Sequence, residues 1–101
     1  PLLLLDEPGA GLDLPGRETL LAALASLAAE EPELATVLTT HHVEELPAST
    51  THALLLRRGA VTASGPVDEV LTDAALSACF SLDVRVRREE TGRWHAIASF
   101  L

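Results

Sequence analysis

No lysine occurs anywhere in this 101-residue chain. Its seven basic side chains are all arginines, set against 15 acids, for a net charge of −8. A general nucleic-acid binder needs a basic face. Residues 1–56 hold one arginine, Arg17, so nucleic acid is not an expected partner. Arg85, Arg87, Arg88 and Arg93 gather late in the chain and read as the solvated face of a strand rather than a binding groove. Cysteine is scarce too. Cys79 stands alone, which excludes an internal disulfide and fits a reducing compartment; within "TDAALSACF" it reads as an inert, packed helix residue. No apolar run approaches the ~18–20 residues that span a bilayer, and the first leucines lack the basic leader of a signal peptide. A start at Pro1 rather than Met is taken to mean that something upstream is missing.

Apolar residues, by contrast, make up 48% of the chain. Runs such as "LLLL", "LAALASLAA" and "HALLL" can build a core, and the length suits one compact domain. Leu2–Leu5 are continuously apolar and predict a fully buried strand. "PGAGLDLPG", residues 8–16, predicts a turn-rich loop. A helix is expected from Arg17 to Ala29, with Leu20, Leu21, Leu24, Leu27 and Ala28 as its apolar stripe, and Pro32 ends it. "LATVLTT", residues 34–40, predicts a second buried strand, so the first part of the chain is a parallel strand–helix–strand unit.

"HHVEEL" is expected to turn into a short helix stopped by Pro47. "HALLLRRGAVTASG" predicts two strands joined at Arg58–Gly59, an antiparallel addition to the sheet. Pro66 suits a first helical position ahead of a short helix over 67–71, and Thr72 caps another reaching about Phe80. "DVRVRREETGRWHAIA" alternates about Thr91–Gly92 as a second hairpin, with Val84 and Val86 on one side. The fold class is therefore α/β: parallel strands with a crossover helix, followed by β-hairpins.

Two strand ends carry polar residues, Asp6 and Glu7 on the first, His41 and His42 on the second. Parallel strands open their carboxyl ends on the same edge, where open α/β sheets place their chemistry. Acids also begin ordinary solvated loops, and histidines also cap helices, so residue type alone leaves both readings open. Adjacent histidines lack the i, i+4 spacing of a zinc-protease helix, and Cys79 has no second cysteine nearby. A carboxylate holding Mg²⁺ partly through water, beside one orienting an attacking water, suits the acids better.

Taken in order, "LLLLDEP", "AGLD", "TTHHVEEL" and "HALLLRRGAVTASGPVDEVLTD" resemble the C-terminal half of an ABC-transporter ATP-binding (nucleotide-binding) domain, from the Walker B strand onward. The likeness covers about residues 1–80; residues 81–101 are a less diagnostic tail. It implies a P-loop NTPase-like layered fold that binds and hydrolyses ATP with Mg²⁺. Asp6 matches the Walker B acid, which holds Mg²⁺ usually through water. Glu7 matches the catalytic glutamate, and His41 the switch histidine that contacts the γ-phosphate. Ala10, Gly11, Leu12 and Asp13 match the D-loop, which crosses to a second nucleotide-binding domain, with Gly11 allowing close backbone approach. His42 falls at a variable position and receives no role. Gly9 stands where the family usually carries threonine, serine or a bulkier residue, freedom that is expected to loosen the D-loop. Implied partners are that second domain and transmembrane transporter subunits, on the cytoplasmic side of the membrane.

The phosphate-cradling G-x-x-x-x-G-K-[ST] loop is absent from these residues, as are the glutamine loop and an "LSGGQ"-like signature. The chain is accordingly read as a fragment, inactive alone. Two alternatives stand beside this reading: an ABC-type ATPase of DNA repair or chromosome maintenance, whose sustained heptads are not seen here, and a non-catalytic interaction fragment. The parallel-strand reading carries its own geometric expectation. Asp6, Glu7 and His41 belong on one surface, with side-chain tips about 5–10 Å apart to admit a phosphate, its Mg²⁺ and a water. Asp13 is expected to point away from them, and His42 to face differently from His41.

Overall fold

The computed structural model describes residues 1–100. Residues 1–49 with Glu90–Arg93 form one compact unit, and residues 50–89 with Trp94 onward form another.

In the first unit, strand β1 (Leu2–Asp6) is followed by helix α1 (Leu14–Glu30) and strand β2 (Ala35–Thr39). The strands pair in parallel, Leu2 opposite Ala35 through Asp6 opposite Thr39, as the βαβ reading expects. The two carboxyl ends therefore finish level on one edge. Helix α1 begins three residues earlier than its apolar stripe indicates. The Asp13 carboxylate accepts from the Gly16 amide at 2.9 Å, and Pro15 occupies the first turn, where a missing N–H costs nothing. The end of the predicted loop is thus already helix.

Burial of β1 also differs from expectation. Leu3 and Leu5 are half-buried, but Leu2 and Leu4 are 60% and 67% exposed. Alternate residues of a strand point to opposite faces, and only one face of β1 is covered within the described residues. After β2 the chain makes a short 3₁₀ turn, Val43–Glu45, which Pro47 follows.

The second unit contains strands β3 (His52–Arg57) and β4 (Ala60–Pro66), helices α2 (Val67–Val70) and α3 (Asp73–Phe80), and strands β5 (Asp83–Arg88) and β6 (Trp94–Ser99). Arg58 and Gly59 both take positive φ, 51° and 78°, the geometry of a tight two-residue hairpin turn. This hairpin is a separate two-stranded sheet, not an addition to β1–β2. Among the described strands β3 pairs only with β4, with a register shift at Leu55/Leu56. Thr72 caps α3 through the Ala75 amide at 3.1 Å. Val84 and Val86 are buried together, as alternation expects, and β5 pairs with β6. The other edge of β5 is closed by α3 side chains: Asp73 accepts from the Val86 amide and Ser77 from the Val84 amide. Cys79 is a buried free thiol. No helix among the described residues is long and apolar enough to cross a membrane.

Candidate functional site

At the end of β1 the backbone turns sharply. Glu7 takes φ 46°, a left-handed conformation that non-glycine residues adopt only when neighbours hold it there. The holding group is Thr39, at the level end of β2. Its carbonyl and its hydroxyl both accept from the Glu7 amide, at 3.0 and 3.1 Å. The same hydroxyl donates to the Asp6 carboxylate at 2.5 Å. One threonine therefore fixes both acids relative to the second strand, across a separation of 33 residues in sequence.

From that anchored turn the Glu7 side chain reaches His41: Oε1 lies 3.1 Å from Nε2. A proton on Nε2 is shared in a hydrogen bond, and a protonated ring makes the contact an ion pair. Both side chains are open to solvent, with His41 77% exposed and Glu7 46%. Asp6, Glu7 and His41 thus gather on one edge, although Glu7 and His41 stand closer than the expected 5–10 Å. Two exposed polar side chains on adjacent, level strand ends meet directly rather than across a gap.

The loop after Glu7 is ordered by its own turns, with the Ala10 amide donating to the Glu7 carbonyl and the Leu12 amide to the Gly9 carbonyl. Gly11 has φ 79° with open space where a Cβ would sit, so within this chain it serves backbone conformation rather than close approach. Asp13 is turned to the α1 cap, and Leu12 is 46% exposed. Gly9 is buried, and a Cβ there would lie 3.1–3.3 Å from the Glu45 carboxylate. His42 is exposed and directs its backbone amide to the Thr40 hydroxyl, at 3.1 Å.

Three residues near this edge escape sequence reasoning. Thr39 and Thr40 are adjacent and send their hydroxyls to different partners, Asp6 and Glu45. Arg93 is the third. Expected on a solvated strand face, it is instead 23% exposed, paired bidentately with Glu18 at 2.6 and 3.0 Å and donating to the Glu44 carbonyl at 2.6 Å. It ties α1 to the turn that follows His41. The hydrogen bond from Arg93, opposed by slight desolvation and aided by its charge, lowers the Glu18 pKa, and Glu18 in turn raises that of Arg93. A threonine pair at a strand end is a signal that could have been read; the Arg93 contacts span 75 and 49 residues and leave no local trace.

The described residues contain no cluster of three or more histidine, cysteine or carboxylate groups able to enclose a metal. A single exposed Asp6 carboxylate beside Glu7 does suit Mg²⁺, which takes one or two carboxylates and completes its shell with water and substrate phosphates.

No family model matches the chain. Individual proteins do. It is 44% identical over 85 residues to YlmA of Bacillus subtilis, an uncharacterized ABC transporter ATP-binding protein, covering 84% of this chain and 32% of that one. The cobalt import ATP-binding protein CbiO of Rhodobacter capsulatus is 47% identical over 74 residues, 73% of this chain and 26% of CbiO. The molybdenum import ATP-binding protein ModC of Pectobacterium atrosepticum is 40% identical over 75 residues, 74% and 21% of the two chains. Among solved structures, an ABC transporter assigned to the metal-chelate type, in an inward-facing conformation, superposes with a TM-score of 0.81 at 27% identity, covering 98% of this chain and 40% of that one. The chain thus spans about a third or less of the length of the curated relatives named. With its level parallel strands, its "LLLLDEP" and "TTHHVEEL" ends brought together and this set of relatives, it belongs to the ATP-binding proteins of ABC transporters and carries the P-loop NTPase-like fold of their nucleotide-binding domain from the Walker B strand onward.

Proposed function

We propose that these residues supply the hydrolytic edge of an ATPase that drives an ABC transporter, with Glu7 and His41 as catalytic groups and Asp6 as the magnesium-holding acid. The observation that carries this reading is the 3.1 Å contact between Glu7 and His41 at the level ends of two parallel strands, with Asp6 fixed beside them by Thr39. Phosphoryl transfer asks for positioning and charge neutralisation more than for covalent chemistry. Glu7 orients one water and accepts its proton as that water attacks the γ-phosphate, releasing ADP and phosphate. His41 steadies the Glu7 carboxylate through Nε2 while no nucleotide is bound, and turns that same donor to the phosphoryl oxygens when ATP is present. Asp6 would hold Mg²⁺ together with water and phosphate oxygens, and the ion would neutralise phosphate charge.

The phosphate cradle, the glutamine loop and the signature motif do not occur in these residues, so ATP binding in this reading requires the remainder of a nucleotide-binding domain. Ala10, Gly11, Leu12 and Asp13 would face a second such domain, and transmembrane subunits would receive the stroke at the cytoplasmic face of the membrane. The relatives named for cobalt and molybdenum import favour transport over DNA repair or chromosome maintenance. In a full-length protein carrying this sequence, Glu7→Gln is expected to lower phosphate release about 10²–10⁴-fold while ATP binding stays nearly unchanged. The 101-residue chain itself is expected to show no turnover above background. Equal rates for the Gln variant and its parent would overturn the assignment.

A further inference from the structure

The turn bearing His41 is braced from below by a side chain outside the catalytic set. The Glu45 carboxylate accepts from the Thr40 hydroxyl at 2.7 Å. That hydroxyl accepts in turn from the His42 amide at 3.1 Å, and the Glu45 amide closes the 3₁₀ turn on the His42 carbonyl at 3.0 Å. His41 lies between the two residues so held. The same carboxylate fills the space over Gly9, where a Cβ would meet its carbon and both oxygens at 3.1–3.3 Å. Gly9 does not take a left-handed φ, so the requirement for glycine there is one of room.

We propose that Glu45 is a positioning residue for His41, acting through Thr40, and that its seat on Gly9 couples the His41 turn to the loop carrying Ala10–Asp13. This rests on the hydrolytic role given to His41 above. An ionised acceptor strengthens the Thr40 bond, and a hydroxyl bonded on both sides allows the turn fewer alternatives. Gly9 then does not loosen its loop: the carboxylate occupies the place of the side chain that the family usually carries there. A shift of the loop displaces Glu45, and a displaced Glu45 releases Thr40 and the turn above it.

The test is steady-state phosphate release by the full-length ATPase carrying this sequence, with Mg²⁺ and ATP, each variant checked for parental thermal unfolding. Glu45→Ala and Thr40→Val should each lower kcat about tenfold with KM for ATP little changed, the effect of losing one charge-assisted hydrogen bond. The double variant should be no slower than the slower single one, because the Thr40–Glu45 bond is already lost once either partner is removed. Glu45→Gln, which keeps an acceptor of the same length, should restore most of the rate. Gly9→Ala should slow the parent but have little effect when Glu45 is already alanine. If Glu45→Ala fails to fold, Thr40→Val, which preserves shape, carries the test. Multiplicative losses in the double variant, a Gln variant as slow as Ala, or a rise in KM at constant kcat would overturn the proposal. A parent whose turnover survives Glu7→Gln overturns the hydrolytic reading itself. An inactive Glu7→Gln beside a fully active Glu45→Ala overturns the positioning role alone.

Discussion

Residues 1–49 with Glu90–Arg93 bury one large apolar side chain, Leu21, whereas the second unit buries Val67, Val70, Leu71, Leu76, Val84, Val86 and Trp94. The polar networks divide the other way. The first unit joins its strand ends by side-chain bonds from Thr39 to Asp6, His41 to Glu7 and Thr40 to Glu45, largely at exposed positions. The second unit spends its polar side chains on closing structure: Thr72 caps a helix, while Asp73 and Ser77 seal a strand edge. The groups proposed to react have to meet water and substrate, so a unit that carries them cannot bury them. Apolar burial is free to concentrate where no such demand exists.

The widest separation of the two units comes from one substitution in each. His41→Ala in the full-length ATPase should lower turnover about 100-fold, as loss of a donor to developing charge does, with no change in unfolding midpoint, since its side chain is 77% exposed. Leu76→Ala should do the reverse. Leu76 is 1% exposed, and truncating such a leucine costs about 2–5 kcal/mol, read as a lower midpoint in urea. A destabilising His41→Ala or a neutral Leu76→Ala would break the comparison.

A finer contrast lies in the two helix caps. Asp13→Ala and Thr72→Ala each remove a side-chain acceptor from a helix start and should each cost about 1 kcal/mol. Only Asp13→Ala should also alter turnover, because its cap anchors the loop that leaves Glu7. Hydrogen exchange at the Gly16 and Ala75 amides reports each cap directly.

The smallest effect concerns acid. Arg93 holds the Glu18 pKa below its usual 4.5, so the folded pKa lies beneath the unfolded one. Their pairing contributes its full stability above the unfolded value and loses it as pH falls through the lowered folded value. The pair is partly exposed, which keeps the contribution modest. Glu18→Gln should therefore flatten the acid side of the stability profile below about pH 4.5, while leaving the neutral-to-alkaline slope alone; an unchanged acid limb would show that the pair contributes nothing.

Much of this arrangement was legible in the sequence. Unbroken and alternating apolar runs mark the six strands of the described residues, Arg58–Gly59 and Thr91–Gly92 mark both hairpin turns, and Thr72 marks its helix start. The parallel pairing of β1 with β2 followed from the helix between them, and with it the meeting of Asp6 and Glu7 with His41. These are local or topological consequences: periodicity, turn chemistry and the crossover rule act over a few residues or one connection. The apolar stripe alone misplaces the start of α1, because Asp13 lies in a turn-rich stretch yet caps the helix, and strand periodicity does not tell that the β3–β4 hairpin forms a sheet of its own.

What the sequence by itself determined is the set of elements and the edge on which the acids and His41 emerge. What only the tertiary structure decided is how that edge is held: Thr39 bridging both acids, Glu45 seated on Gly9 beneath Thr40, and Arg93 drawn from the tail to Glu18 and the Glu44 carbonyl. Apart from the Thr40–Glu45 bond, which spans five residues, these contacts join residues far apart in the chain whose types are common on any surface. Beyond the threonine pair at the end of β2, nothing in their neighbours' spacing marks them, because a hydrogen bond across a fold depends on where the backbone has already been carried.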